Sequence, residues 1–506
     1  MKLLAANNLP CLNSRRGYHS SSIPAGNISP PSLAGTFKCV FRVFRQRMPY
    51  ILLIGVFVLA LSLRVLVVDG SQVYLPLRAD AGQYYSYAYN LKYHNIYSIT
   101  DTWRTGATPV ADDLRNPGYP IFLSFLVDSK ASSASLNKIA FVQSFISTLT
   151  VVLIYLTIRF YASFYIAVGG ALLTTLSPHL ISMNVYIMTE SIAAFTVVFF
   201  LWLYAWTTSA LHAKTSVQQE DRKQLRIFWQ LQHLPWFLLG IAHAVGTLVR
   251  PTMQWYLIPL LGVVYVLPKQ KWGIPWHRVL WLSFGFLVLM LPWWIRNIVL
   301  LGELNNSLLL KNALHHGMYP NFIYGNIAES FGYPYRFDPR SSEIAASLIS
   351  VLTEIIHRFM IDPGKQLYWY LVGKPIMFWN WSNDAAGAGD VFIFPMLRSP
   401  FATNNMLHLI HDSMRFLHIP MVILGMIGSV TVWFSKSQQY VQDMELLWFM
   451  RIISSLLLYF VALHMIGAPF PRYNIPVLPV LYLQVMLCCS LAMKSKINIL
   501  HFLQRR

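Results

Sequence analysis

Residues 50 to 68 read Tyr50-Ile-Leu-Leu-Ile-Gly-Val-Phe-Val-Leu-Ala-Leu-Ser-Leu-Arg64-Val-Leu-Val-Val68, an apolar run broken by one charge. About 20 such residues are what a helix needs to cross a hydrocarbon core. The run is continuous and does not alternate, so it reads as a helix and not as a barrel strand. It is too long and starts too late for an ordinary cleaved signal sequence, which makes it an uncleaved first span.

Nine further stretches share this character: Ile139 to Ile158, Phe164 to Ile181, Met188 to Thr207, Leu234 to Val249, Gln254 to Leu267, Val279 to Val299, Phe416 to Phe434, Leu446 to Ile466 and Ile475 to Met493. The composition agrees, with 55% hydrophobic and 12% charged residues against roughly 25% charged in a soluble domain. The expected fold is an all-α polytopic membrane protein with about ten or more transmembrane helices.

Lys and Arg total 39 against 20 Asp and Glu. The excess gathers in short loops instead of forming a long basic run with interleaved aromatics, which excludes nucleic acid as a partner. Lys38, Arg42, Arg45 and Arg47 precede the first span, and Lys494, Lys496, Arg505 and Arg506 follow the last. The positive-inside rule therefore puts both termini in the cytoplasm, with Lys214, Arg222, Lys223, Arg226, Lys269, Lys271 and Arg278 on the same side. The expected organisation is a cytoplasmic arm over 1–47, a membrane domain over 48–493 and a basic tail over 494–506. Two long loops, 69–138 and 301–415, fall outside. Within the second, Gln366 to Trp381 is apolar but short and contains Lys374, so it reads as an interfacial helix. The four cysteines, Cys11, Cys39, Cys488 and Cys489, show no metal or disulfide spacing.

The first outer loop contains Arg78-Ala-Asp80-Ala-Gly-Gln83-Tyr84-Tyr85-Ser-Tyr87-Ala88-Tyr89-Asn90-Leu91, then Tyr97-Ser98, then Arg115-Asn-Pro-Gly-Tyr119-Pro120. Asp80, Tyr84, Tyr87, Ala88 and Leu91 fall near one face of a helix, which predicts an amphipathic element lying on the membrane. A carboxylate at its start can take a proton from an attacking hydroxyl. The blander reading is a capping box, because Gln83 follows Asp80 by three residues. Glu190 opens another span, where an acid also stabilises the positive helix end. Arg250, Arg296 and Arg472 end helices or begin loops on the outer side, against the positive-inside rule. A lipid phosphate would explain them, since guanidinium pairs bidentately with phosphate oxygens. Snorkelling and helix C-terminal compensation are the structural alternatives.

In this order, Asp80 with its Tyr-rich helix, Asn90-Leu91, Tyr97-Ser98, Arg115-Asn-Pro-Gly-Tyr-Pro120, Thr189-Glu190, Arg250-Pro251, Pro292-Trp-Trp-Ile-Arg-Asn297 and Arg472-Tyr473-Asn-Ile-Pro476 resemble the C-type glycosyltransferases that use polyprenyl-phosphate sugars. The likeness is to the family of protein O-mannosyltransferases and lipid A aminoarabinose transferases. It implies direct hexosyl or pentosyl transfer with inversion, Asp80 as base and Glu190 as the second acid. Arg250, Arg296, Arg472 and Arg115 would contact the donor phosphate, supported by Tyr84, Tyr119 and Tyr473. The implied partners are a polyprenyl-phosphate sugar, membrane lipid and a glycan, lipid or protein acceptor. The implied location is a plasma (inner) membrane with the site on its outer face.

The chain departs from the protein mannosyltransferases in having Ala81 after Asp80, where they commonly carry an acidic pair, and no added soluble lumenal module is evident. Both differences weaken the case for a protein acceptor. A transporter or lipid-linked sugar flippase is the alternative of another class, but it would place ionisable groups near the bilayer midplane. An O-antigen ligase or polymerase is a different enzyme on a similar scaffold. No cofactor is implied with certainty. A divalent metal stays open if Asp80, Glu190, His315 and His316 converge, although adjacent histidines do not share a helix face.

Overall fold

The computed structural model describes residues 33–215, 233–265, 276–304, 307–386, 388–434 and 443–504. Much of the expected arm, the basic residues Arg222, Lys223, Arg226, Lys269 and Lys271, and Arg505 and Arg506 lie outside these. Contacts divide the chain into two units, Met1–Gly55 and Val56–Arg506. In the first, the described residues are helical. All that follows concerns the second.

The architecture is all-α and polytopic. Its main helices are α1 (Leu33–Gly70), α2 (Ala79–His94), α3 (Gly118–Ser124), α4 (Ser133–Arg159), α5 (Phe164–Leu176), α6 (Pro178–Ser182), α7 (Glu190–Thr215), α8 (Leu234–Val249), α9 (Leu257–Tyr265) and α10 (Trp276–Leu301). They continue with α11 (Leu308–Gly317), α12 (Leu348–Ile361), α13 (Pro363–Tyr368), α14 (Lys374–Phe378), α15 (Asn405–Thr431), α16 (Met444–Ile466) and α17 (Leu478–Gln504). Among the described residues, seven helices are long and apolar enough to cross a membrane, or eight if the bent pair α5 and α6 forms one span. The expected span over Gln254 to Leu267 is different: Pro251–Tyr256 is 3-10 helix, and α9 has nine residues before the described chain stops. Glu190–Ser209, Met444–Ile466 and Pro471–Met493 are the most enclosed spans, each with 72% of its most apolar stretch buried, against 28% for Trp276–Leu301. Helices α8 and α10 approach until backbones touch. A Cβ on Gly240 would lie 2.0 Å from the Leu282 carbonyl oxygen, and one on Gly285 would lie 2.1 Å from that of Phe237. Small residues permit such contact between membrane helices.

Phe164 to Ile181, expected to be one span, bends by 53° at Ser177 and Pro178. Proline has no N–H to offer the carbonyl four residues back, so Thr174 loses its intrahelical donor. Arg64 of α1, fully buried, supplies one: Nη2 donates to Thr174 O (3.4 Å), Nη1 to Ala60 O (3.0 Å) and Nε to Ser147 Oγ (2.9 Å). The lone charge in the opening sequence thus joins three helices. Beyond the bend, the same segment holds the second long loop by its backbone: His179 Nε2 bonds Trp381 O (2.8 Å), Ser182 Oγ donates to Val391 O (2.9 Å), and the Tyr186 hydroxyl donates to Phe394 O (2.9 Å).

Two short strands clasp the loops together, β1 (Gln72–Val73) running antiparallel to β2 (Met396–Arg398). In the second loop, α12 turns Val351 and Glu354 inward and leaves Ile349, Leu352, Ile356 and Met360 exposed. Helices α13 and α14, joined by a π turn, expose Leu367, Leu371 and Ile376. This outward apolar face suits the interfacial position read from sequence. Lys374 points inward instead, its ammonium donating to the carbonyls of Met465 (2.9 Å), Ile466 (3.2 Å) and Gly467 (2.9 Å) at the end of α16. A cation at a helix C-terminus meets the negative end of the dipole.

Arg64→Met should lower the unfolding midpoint, because it strands the Thr174 carbonyl at about 1–3 kcal/mol. Arg64→Lys should recover part of the loss. Equal midpoints for wild type and Arg64→Met in detergent unfolding would show that the bend does not need the guanidinium.

Candidate functional site

Asp80 occupies the second position of α2, just after Ala79, whose φ is +46°. A non-glycine residue there is strained. Arg78 is the N-cap residue, and no side chain caps this helix. The capping box is therefore absent. Asp80 Oδ1 instead accepts from Arg115 Nη2 (2.7 Å) and Oδ2 from Arg472 Nη2 (3.0 Å). Gln83 Oε1 accepts from Arg115 Nη2 (2.6 Å) and Nε (3.0 Å). The Asp-x-x-Gln spacing makes a receptor for one guanidinium. The one-sided pattern expected of α2 is not there: Ala81, Tyr84, Tyr85, Tyr87, Ala88 and Asn90 are all buried, on more than one face.

Arg115 is aimed by the motif that follows it. Asn116 Nδ2 donates to Thr247 O (2.8 Å), and a Cβ on Gly118 would lie 2.6 Å from the Leu248 carbonyl carbon. Only a glycine lets the chain rest on the end of α8 there. Tyr119 donates to Gln143 Oε1 (2.6 Å) and packs edge-on to Tyr84, with centroids 5.1 Å apart. Asn90 braces the loop, donating to Ser98 O (2.9 Å) and Thr100 O (2.8 Å).

Glu190 opens α7, almost wholly buried, and pairs with Arg250 Nη1 at 3.1 Å. The same Nη1 donates to Thr189 Oγ1 (2.9 Å). Tyr473 connects this pair to Asp80, because the guanidinium carbons of Arg250 and Arg472 each lie 5.2 Å from its ring centroid. Residues from five separate stretches thus form one chain of charge, two ion-paired groups joined through a tyrosine ring: Glu190, Arg250, Tyr473, Arg472, Asp80, Arg115. Arg296 stands outside it, donating to Asp112 O (2.8 Å), Asn297 Oδ1 (3.0 Å) and Tyr97 O (3.2 Å).

Asp80, Arg472 and Tyr473 line a recess of 520 Å³, together with Arg78, Arg336, His315 and His316. Burial would raise the Asp80 carboxyl, but Arg472 and Arg115 outweigh it and hold the group below the ordinary carboxylate range. Burial pushes His316 down to about 4, so the ring is neutral and its Nε2–H donates to Gly332 O (2.6 Å). Arg78 lies over Phe394 and Arg336 over Tyr333, and neither meets an acid among the described residues. The recess therefore carries more positive than negative charge. Sequence reasoning missed these two arginines. Arg78 stands two residues before Asp80, and Arg336 ends an aromatic Tyr333-Pro-Tyr-Arg336 run, a stacking signal open to reading. Among the described residues, no three His, Cys, Asp or Glu side chains are placed to hold a metal ion.

No family model matches this sequence, and no curated protein matches it. Among solved structures, the chain is similar to the oligosaccharyltransferase AglB of Archaeoglobus fulgidus in complex with an inhibitory peptide and a dolichol-phosphate, with 13% identity, TM-score 0.47, and coverage of 91% of this chain and 52% of that one. It is similar to that organism's oligosaccharyltransferase tethered to an acceptor peptide containing the NVT sequon, with 13% identity, TM-score 0.48, and coverage of 89% and 50%. The apo form gives 12% identity, TM-score 0.49, and coverage of 91% and 52%. The chain spans about half the length of these proteins.

A double-mutant cycle on unfolding free energy separates the paired arginines from Arg296. Asp80→Asn with Arg472→Gln should show a coupling of about 0.5–3 kcal/mol, while Asp80→Asn with Arg296→Gln should be additive within about 0.5 kcal/mol. Coupling to Arg296 as large as to Arg472 would contradict the charge chain described.

Proposed function

We propose that this chain is a membrane glycosyltransferase that moves a hexosyl or pentosyl group from a polyprenyl-phosphate donor to a lipid, polysaccharide or protein acceptor at the outer face of a plasma (inner) membrane. The observation that carries the reading is Asp80, ionised between two arginines, on the wall of a recess with surplus positive charge. A transporter fits less well, because its ionisable groups belong near the bilayer midplane and these stand at helix ends.

In this reading the acceptor hydroxyl oxygen attacks the anomeric carbon from the side opposite the phosphate. Its bond to that carbon forms as the carbon–oxygen bond to phosphate breaks, the phosphate leaves with the electron pair, and Asp80 takes the hydroxyl proton. Attack from behind inverts the anomeric centre. Arg472, on the recess wall, contacts both Asp80 and the departing phosphate and stabilises the charge that develops there, while Arg115 holds Asp80 in place. Arg78 and Arg336 complete the anion site on the recess wall. Glu190 and Arg250 act mainly on each other and fix the position of Tyr473, while Arg296 fixes the first loop.

A bound phosphate would also compete with Asp80 for Arg472. As Arg472 turns towards it, less positive charge holds the carboxylate down, and its proton affinity rises as the base is needed.

Asp80→Asn, purified and assayed with polyprenyl-phosphate hexoses and pentoses, should lose about 100 to 10,000-fold in transfer rate. Near-normal transfer by a folded variant would falsify the base role. The acid limb of kcat/KM should lie below the ordinary carboxylate range and move to higher pH in Arg472→Gln, because the lost charge is one that lowers the Asp80 pKa. An acid limb that stays in place would sever Asp80 from the rate.

A further inference from the structure

The second long loop contains another recess, of 590 Å³. It adjoins the first within one helical turn: His315 lines the Asp80 recess, Tyr319 four positions on lines this one, and the Tyr319 hydroxyl lies 3.5 Å from His315 Nε2. Gln366 lies on its wall with 6% of its surface exposed, and the side-chain amide has no hydrogen-bond partner among the described residues. Its amide atoms are not among the buried unpartnered ones, so they stay accessible and free to meet a ligand. Asn321 lines the same space, and its turn is strained, with φ +55° at Asn321 and +56° at Phe322. Asn326 adds a third amide and Tyr324 an aromatic side chain.

The charges of this recess are compensated. Arg358 bonds Glu354 Oε1 (2.9 Å) and Asp338 Oδ2 (3.3 Å), and it stacks on the Tyr319 ring at 4.5 Å. Asp362 and Lys365 contribute one charge of each sign. Asp362 already uses one oxygen to cap the backbone N–H of Lys365 at 3.0 Å. A phosphate would therefore find little unopposed positive charge, in contrast to the Asp80 recess. Three amides, each donor and acceptor, beside an aromatic ring suit a neutral ligand dense in hydroxyl groups.

We propose that this second recess is a carbohydrate-binding subsite. On the transferase reading above, from which it takes only the role of the bound sugar, it holds the acceptor glycan beside the Asp80 recess.

The experiment is saturation-transfer difference NMR on the full chain in phosphatidylcholine nanodiscs, with mannobiose, cellobiose and diacetylchitobiose as probes. At least one disaccharide should show saturation transfer, reduced several-fold in both Gln366→Leu and Asn321→Gly. Glycine relieves the left-handed strain at position 321, so that variant should keep its melting temperature and can decide alone if Gln366→Leu unfolds. The signal should persist in Asp80→Asn and in the presence of polyprenyl phosphate. No transfer from any probe, unchanged transfer in a folded Asn321→Gly, or displacement by polyprenyl phosphate or glycerophosphate would overturn the subsite. Sugar binding that meets these criteria while the wild-type protein transfers no hexose or pentose from polyprenyl phosphate would uphold the subsite and remove the transferase reading.

Discussion

One carboxylate between two guanidinium groups organises this molecule. Asp80 comes from the first loop, as does Arg115, and Arg472 from the start of the last span, 392 residues from Asp80 in sequence. Removing charges from water is costly, and a buried pair with one member lost leaves an uncompensated charge. The ends of the chain's membrane domain therefore have to meet for either arginine to be tolerated. Tyr473 extends the arrangement to Arg250 and Glu190, so a second ion pair is positioned by the same constraint.

The geometry is maintained largely by side chains that satisfy backbone carbonyls where helices end or break. Arg64 does so at the proline bend, Asn116 at the end of α8, Lys374 at the end of α16, and Asn474 Nδ2 donates to Phe378 O (2.7 Å). A buried carbonyl left without a donor is costly, which makes each substitute donor valuable. Three of the four sit beside a residue of the charge chain in sequence or hold its neighbour. Asn116 follows Arg115, Lys374 fixes Gly467 ahead of Phe470 and Arg472, and Asn474 follows Tyr473.

Most of the helical plan was legible because lipid demands continuous apolar runs, and Met444–Ile466 falls within two residues of where hydropathy put it. The bend at Pro178 was not, since a sliding reading of hydropathy has no term for a carbonyl that proline leaves unpaired. Asp80, Arg250, Glu190 and Arg472 were chosen as charges at helix ends and Arg115 for its loop motif, and the structure gathers them. Arg296 shares that local signature but meets loop carbonyls instead, a difference that depends on where Tyr97 and Asp112 fold. The Asp80–Gln83 spacing was ambiguous in the same way. Nothing local says whether an acid and an amide three residues apart will meet their own helix N–H groups or a guanidinium from elsewhere.

Strain and charge point to the same place. Ala79 sits at φ +46° although alanine gains nothing from the left-handed region, and Leu75 four residues earlier is at +51°. Such residues cost roughly 1–3 kcal/mol each and persist only where surrounding contacts over-determine them. Here the contacts are the β1–β2 clasp before them and the two ion pairs after them. The turn between Gln72 and Asp80 is thus pulled from both sides. Its consequence is to deliver the carboxylate and Arg78 to the same recess wall, while Arg115 reaches Asp80 from behind.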